Sequence, residues 1–83
     1  MGLDVVELVI SIEQHFGISI PDADARSLRS VGDLHAYILA HAEPPPASEA
    51  AWEWLRDMIE AEFGVPRDRI TPEAWVVRDL GIN

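Results

Sequence analysis

The amino-acid sequence predicts an all-α protein, a bundle of three or four helices. Three observations support this fold class. Polar residues recur at helical spacing near the N-terminus, a serine and an aspartate frame a capping box in the middle, and an apolar stripe repeats every three to four residues in the C-terminal half. No segment shows the alternation of a convincing strand, so helices are expected to pack on helices.

The first helix is predicted over "LDVVELVISIEQHF", residues 3–16. Its polar residues are spaced three, four and three apart, at Asp4, Glu7, Ser11 and Gln14. The other positions are almost all apolar, so the apolar arc is wide, as on a helix that packs on two sides in a bundle. Gly17 is predicted to end this helix at its C′ position.

Two shorter helical segments are predicted next. Pro21 cannot lie in a helix interior, and Asp22 is predicted to cap a short helical turn through Ala25. Ser30 then begins a longer helix as its N-cap, with Asp33 at N3 in an approximate capping box. That helix must end before the prolines of "EPPPAS".

A proline linker at residues 44–48 precedes the fourth predicted helix. Its three prolines favour a stiff extended segment of roughly 15 Å. Ser48 is predicted as the N-cap of "EAAWEWLRDMIEAEF", and Gly64 as its end. The predicted buried stripe of this helix consists of Trp52, Leu55, Ile59 and Phe63.

The last segment is predicted to be a long loop with one short helix. Thr71 would be the N-cap of that helix, Pro72 its N1 residue and Glu73 an acid in its first turn, with the helix running to about Val77.

Composition limits the classes of function. Eighty-three residues make one small domain, and without cysteine neither a disulfide framework nor a thiolate metal site is possible. No apolar run could span a membrane and no secretory signal is visible, so a cytoplasmic location is expected. Fifteen acidic residues against six arginines give a net charge of −9. This charge disfavours nucleic acid and anionic membranes and favours basic protein surfaces, although it also serves solubility alone.

Both halves of the chain resemble one known family. "LDVVELVISIEQHFGISIPD" and "SVGDLHAYI" are similar to the second half of acyl carrier proteins, so residues 1–43 resemble that half. "WLRDMIEAEFGVPRDRITPEAWVVRDLG" resembles the first helix and long loop of the family, within residues 49–83. The resemblance implies the family's bundle with a permuted helix order, as in a circular permutation. Two other interpretations stay open: an ordinary helical repeat, or a piece of a tandem protein.

Joining the two ends gives "DLGIN" and "MGLD", where the family shows "DLGADSLD". With Met1 as an extra residue, Asn83 takes the Asp position and Gly2 the position of the serine that carries phosphopantetheine. The resemblance therefore implies that no arm is attached, since glycine has no hydroxyl. The other serines fit the family's motif poorly. A genuine carrier with a misassigned or lost attachment serine, working in fatty acid, polyketide or related biosynthesis, is the alternative.

The resemblance also implies a face that docks on partner proteins. In the family, an acidic helix face meets basic patches on an enzyme or regulator. The matching positions here are Asp4, Glu7, Ile10, Glu13, Gln14, Asp22 and Asp24. The alternative, that these residues are only the solvated side of an amphipathic helix, stays open.

The interior and the histidines add no catalytic prediction. Positions that line the acyl-chain space in the family correspond to Leu8, Phe16, Ile20, Leu28 and Tyr37, which any small core also needs. The three tryptophans are unusual for the family and would fill that space. The three histidines lack the i, i+4 spacing of paired metal ligands, and no nucleophile–base set is visible. We expect a non-enzymatic monomer without a metal, with a domain-swapped dimer as the alternative because the linker is short.

Overall fold

The computed structural model describes residues 2–83 and confirms the all-α class. The helices are α1 (Leu3–Phe16), α2 (Asp22–Ser27), α3 (Val31–His41) and α4 (Ser48–Phe63). A 3₁₀ turn at Arg67–Arg69 follows, and the β-type pairing within these residues is limited to one bridge between Ser30 and Trp75. Met1, the extra residue of the joined sequence, lies outside the described residues. In the described part of the chain, no helix has the length and apolar content to cross a membrane.

The predicted helix ends that depend on local signals are confirmed. Gly17 and Gly64 end α1 and α4 in the left-handed conformation, at φ 65° and 68°. Such φ values favour glycine, because a Cβ makes the conformation costly. At the start of α3, the Asp33 N–H donates to Ser30 Oγ at 3.0 Å, and the Ser30 N–H donates to Asp33 Oδ2 at 3.1 Å. This reciprocal pair is the predicted capping box.

Two predicted caps are wrong. Asp22 is the first helical residue of α2, whose N-cap is Pro21, and the helix continues to Ser27. Ser48 is the first residue of α4, the N-cap is Ala47, and no side chain caps the helix. The Ser48 hydroxyl instead lies 3.4 Å from Nε2 of His35 on α3. The packing of α3 against α4 therefore supplies this serine with a different partner.

The core lies between α1, α3, α4 and the C-terminal loop. Leu55 and Ile59 of α4 are fully buried as predicted, whereas Trp52 and Phe63 are only half-buried. Ala51 and Met58 complete the buried face instead. Aromatic rings lie at the borders of the core, where Trp54 stacks on His15 at 4.2 Å between ring centroids. Large amphipathic rings often lie partly buried in this way.

The helix predicted over residues 71–77 does not form. Residues 65–83 are mostly turns, with buried side chains at Val65, Ile70, Ala74, Val76 and Ile82. Main-chain hydrogen bonds tie this loop to the start of α3. The Val31 N–H donates to Ala74 O, and the Val76 N–H donates to Arg29 O, each at 2.9 Å. These bonds use main-chain groups that a helix would have paired within itself.

Candidate functional site

The two ends of the described chain meet at the N-terminus of α1. The Val5 N–H donates to the main-chain oxygen of Asn83 at 3.0 Å, and the Val6 N–H donates to Gly2 O at 3.2 Å. In a helix the N–H of a residue pairs with the carbonyl four positions earlier. Since Gly2 is the acceptor for Val6, the acceptor for Val5 takes the place of the residue before Gly2. Asn83 therefore occupies the place that the joined sequence assigns to it.

The N-terminus of α1 has no room for a side chain at residue 2. Gly2 is the N-cap, with extended backbone at φ −74° and ψ 169°. A Cβ built there would lie 2.3 Å from the carbonyl carbon of Asn83 and 2.7 Å from its oxygen. Real Cβ atoms do not approach main-chain atoms so closely. Any larger residue at position 2 would therefore require the Asn83 main chain to move.

The serines of the chain lie elsewhere. Ser11 donates to Glu62 of α4, Ser27 donates to Asp24 O, and Ser30 caps α3. Ser19 is exposed in the loop between α1 and α2. None of them is at the N-terminus of α1, where the resemblance places an attachment serine.

The exposed face of α1 carries most of the predicted docking residues. Asp4, Glu7 and Gln14 are exposed, and Ile10 is 42% exposed despite its apolar side chain. Leu3 and Val6 on the same face are 82% and 36% exposed. The sequence analysis missed these two residues. The wide apolar arc of the predicted helix was the signal, because a bundle this small does not cover so wide an arc.

Two predicted docking residues instead have partners within the fold. Oε2 of Glu13 accepts from the Ile20 N–H at 2.8 Å and so fixes the loop after α1. Oδ2 of Asp24 accepts from the Tyr37 hydroxyl at 2.9 Å. Burial, and then this hydrogen bond, raises the pKa of Tyr37. Asp22 is exposed at the start of α2. The docking role of all seven residues remains a prediction.

An apolar cleft of about 640 Å³ opens beside the N-terminus of α1. It lies between α1, α2, α3 and the loop of residues 75–78. Leu8 and Leu28, two of the five predicted interior residues, line it; Phe16, Ile20 and Tyr37 do not. Trp75 lies in its wall and does not fill it. Gly2 and Asn83 line the end nearest to α1.

Two arginines flank Trp75 at this cleft. The guanidinium carbons of Arg78 and Arg29 lie 4.2 and 5.6 Å from the centroid of the indole. Both are within the range of a cation–π contact. Arg78 also donates twice to Asp79, each time at 3.0 Å. These bonds, together with the Trp75 N–H, lower the pKa of Asp79 to about 2.

The histidines contact aromatic rings and main-chain groups. His15 stacks on Trp54, His41 stacks on Tyr37, and Nε2 of His35 lies 2.8 Å from Ser48 O. Among residues 2–83, no three histidine, aspartate or glutamate side chains are grouped to hold a metal ion.

Comparison with known proteins supports the resemblance in the first part of the chain. Residues 3–38 match the family model described as a phosphopantetheine attachment site. The acyl carrier protein of Clostridium acetobutylicum is 49% identical over 42 residues, covering 51% of this chain and 54% of the relative. The meromycolate extension acyl carrier protein of Mycolicibacterium smegmatis is 40% identical over 61 residues, covering 74% of this chain and 59% of the relative. No solved structure matches.

The chain thus spans a little over half the length of these two relatives. The family match begins at residue 3, directly after the glycine that caps α1.

Proposed function

The chain belongs to the acyl carrier protein family through residues 3–38, and from this membership we propose that it is a carrier-type module that docks on partner enzymes through α1. The docking strip consists of the exposed apolar residues Leu3, Val6 and Ile10 with the neighbouring acids Asp4 and Glu7. The observation that carries the proposal is this strip, an apolar line flanked by negative charge on one helix face.

The chemistry of the strip indicates the kind of partner. Three apolar side chains in contact with water gain free energy when a partner covers them, at about 25 cal/mol per Å². The flanking carboxylates and the net charge of −9 favour a surface rich in arginine and lysine. We therefore expect a basic enzyme or regulator surface, with an apolar centre, and a cytoplasmic location for the complex.

We further propose that the family's two halves stand here in permuted order. The support is the bond between the Val5 N–H and Asn83 O, which continues the first turn of α1 from the other end of the chain. A chain that runs from residue 49 to residue 83 and then from residue 2 to residue 43 tests this. It should fold with the same helical circular dichroism and urea midpoint. Failure of the reordered chain to fold would contradict the permuted order.

The phosphopantetheine arm does not fit residue 2. Gly2 offers no hydroxyl, and a Cβ there would collide with the Asn83 main chain. The leading version of the proposal is therefore a docking module without an arm on this residue. The second version is a genuine carrier whose attachment serine lies elsewhere. The comparisons support this second version more strongly, because both relatives are named as acyl carrier proteins.

One experiment separates the two versions. The purified chain is incubated with coenzyme A and a phosphopantetheinyl transferase, and its intact mass is measured. The arm-free version predicts no mass gain. A gain of one arm would establish the carrier version, and peptide mapping would then locate the serine. Gly2→Ser combined with deletion of Asn83 is the positive control, since the deletion removes the main-chain atoms that a Cβ would meet.

Docking is measured separately, by calorimetric titration of the same transferase. We expect Asp4→Lys with Glu7→Lys to weaken binding by about tenfold, because each change replaces attraction by repulsion. Glu49→Lys with Glu60→Lys is the matched control, with the same change of net charge on exposed positions of α4. Equal loss in both pairs would show an effect of net charge alone and would contradict the docking strip.

A further inference from the structure

The apolar cleft beside α1 is lined by charges of one sign. Arg26, Arg29 and Arg78, half of the arginines in the chain, line it, and none of the fifteen acidic residues does. In a chain of net charge −9, this separation leaves one positive region. The positive region coincides with the opening of an apolar space of about 640 Å³.

Two of these arginines have no protein partner within residues 2–83. The other four arginines each donate to a protein oxygen: Arg56, Arg67, Arg69 and Arg78. The guanidinium groups of Arg26 and Arg29 make no such bond, and no carboxylate of the described residues lies within ion-pair distance of either. Since acids outnumber arginines by more than two to one, unpaired arginines are the exception here. Both exceptions lie at the cleft.

We propose that the cleft binds an unattached amphiphile with one aliphatic chain and an anionic head, a carboxylate or a phosphate. The head contacts Arg26 and Arg29, whose planar guanidinium groups suit bidentate bonds to either oxyanion. The chain lies against Val5, Leu8 and Leu28. The volume falls within the range of about 300–1,000 Å³ that is usual for small-molecule sites.

The two other polar groups at the cleft take a smaller part. Arg78 already binds both carboxylate oxygens of Asp79, so its role is to hold the Trp75 ring in the wall. The main-chain oxygen of Asn83 accepts from the Val5 N–H and is thereby held at α1. This site goes beyond the docking strip and does not require it, because the ligand enters the cleft and a partner covers the exposed face of α1.

Calorimetric titration of the whole unmodified chain tests the proposal. The probes are dodecanoate, dodecyl phosphate and the uncharged dodecanol, all below their critical micelle concentrations. We expect saturable one-to-one binding of both anions, at least about tenfold tighter than that of dodecanol. Tighter binding of dodecyl phosphate would identify a phosphate head, and tighter binding of dodecanoate a fatty acid. Absence of saturable binding, or equal affinity for dodecanol, would overturn the site.

Arginine variants locate the head group. Arg26→Gln with Arg29→Gln should weaken binding of the anions about tenfold or more and leave the affinity for dodecanol unchanged. Arg67→Gln, at an arginine that does not line the cleft, controls for the loss of positive charge. An unchanged affinity in the double variant, or an equal loss in the control, would contradict the proposal. Circular dichroism checks that the variants fold.

Nuclear magnetic resonance adds a readout of position. Dodecanoate should shift the indole N–H signal of Trp75, which lines the cleft, more than those of Trp52 and Trp54, which do not. Equal shifts of all three would show nonspecific binding and overturn the assignment. Because no transferase or partner is present, the result is independent of whether the chain docks on an enzyme or carries an arm.

Discussion

Two regions of this molecule build the same site in different ways. Residues 3–41 form helices whose ends are set by neighbouring residues, such as the reciprocal bonds between Ser30 and Asp33. Residues 65–83 contain one 3₁₀ turn and are otherwise held by bonds to residues far away in the chain, such as that from the Val76 N–H to Arg29 O. Yet both regions contribute fully buried side chains to one core. Regular secondary structure is therefore no measure of how firmly a segment belongs to this fold.

The largest expected effect tests whether the loop matters to the core as much as a helix does. Leu8 of α1 and Ile82 of the loop are 1% and 2% exposed. We expect Leu8→Ala and Ile82→Ala each to lower the free energy of unfolding by about 2–4 kcal/mol, through lost burial and a cavity. Urea denaturation followed by circular dichroism measures both.

Controls keep this comparison informative. Val77→Ala, at a position that is 54% exposed, should cost less than about 0.5 kcal/mol. Because the total stability of a domain of this size is only about 4–12 kcal/mol, Ile82→Val gives a milder change of about 0.5–1.5 kcal/mol. If Ile82→Ala cost no more than Val77→Ala, the loop would not be part of the core.

The second prediction concerns the contact between the loop and α3. The Gly32 N–H donates to Pro72 O at 2.9 Å, and a Cβ on Gly32 would lie 2.8 Å from that oxygen. Glycine to alanine in a helix usually gains about 0.5–1 kcal/mol, whereas overpacking costs about 1–3 kcal/mol. We expect the collision to exceed the gain, so that Gly32→Ala lowers stability by about 1–2 kcal/mol in urea denaturation. A more stable variant would show that the loop yields freely.

The third prediction compares two serines that look alike in the sequence. Ser30→Ala should cost about 1 kcal/mol, because it leaves the Asp33 N–H without its cap. Ser48→Ala should cost less than about 0.5 kcal/mol, since Ser48 caps nothing. Thermal or urea unfolding of both variants measures the difference. Equal costs would mean that Ser48 caps α4 after all.

The smallest effect concerns acid, with one carboxylate in each region. Hydrogen bonds from Arg78 and then Trp75 lower the pKa of Asp79 from 3.8 to about 2, and the bond from the Ser30 N–H lowers the pKa of Asp33. A lowered pKa in the fold means that the ionised form stabilises it above about pH 4. This stabilisation is lost as the pH falls toward 2.

Urea midpoints between about pH 5 and pH 2 measure that loss. Asp79→Asn and Asp33→Asn should each flatten the decline. Glu73→Gln removes one negative charge from the loop without removing a hydrogen bond, and so corrects for net charge. A decline as steep in both aspartate variants as in the original chain would contradict the assignment.

The sequence was sufficient for those features whose partners are close along the chain. The bounds of α1, its glycine end and the cap of α3 depend on residues within a turn or two, and all were predicted correctly. The short helix at residues 71–77 was predicted from an equally local signal, Thr71-Pro72-Glu73, and was wrong. There the bonds to Arg29 and Val31 determine the backbone, and no local pattern contains them.

The candidate site divides in the same way. The exposed acids of α1 follow from periodicity, whereas the partners of Glu13 and Asp24 are a loop N–H and a tyrosine on another helix. The cleft and its arginines depend on how α2 and the loop meet, so composition alone did not indicate them. The contact between Asn83 and α1 was anticipated only by joining the ends of the sequence.

That contact has a practical consequence for anyone who handles the protein. Because the last carbonyl of the chain lies at the head of α1, an affinity tag or fluorophore fused to either end emerges next to Leu3 and Asp4. Such an addition would shade the face we expect to meet an enzyme and would loosen the first turn of the helix. The exposed loop at Pro44 and Pro45 is the better attachment point for labels and surfaces.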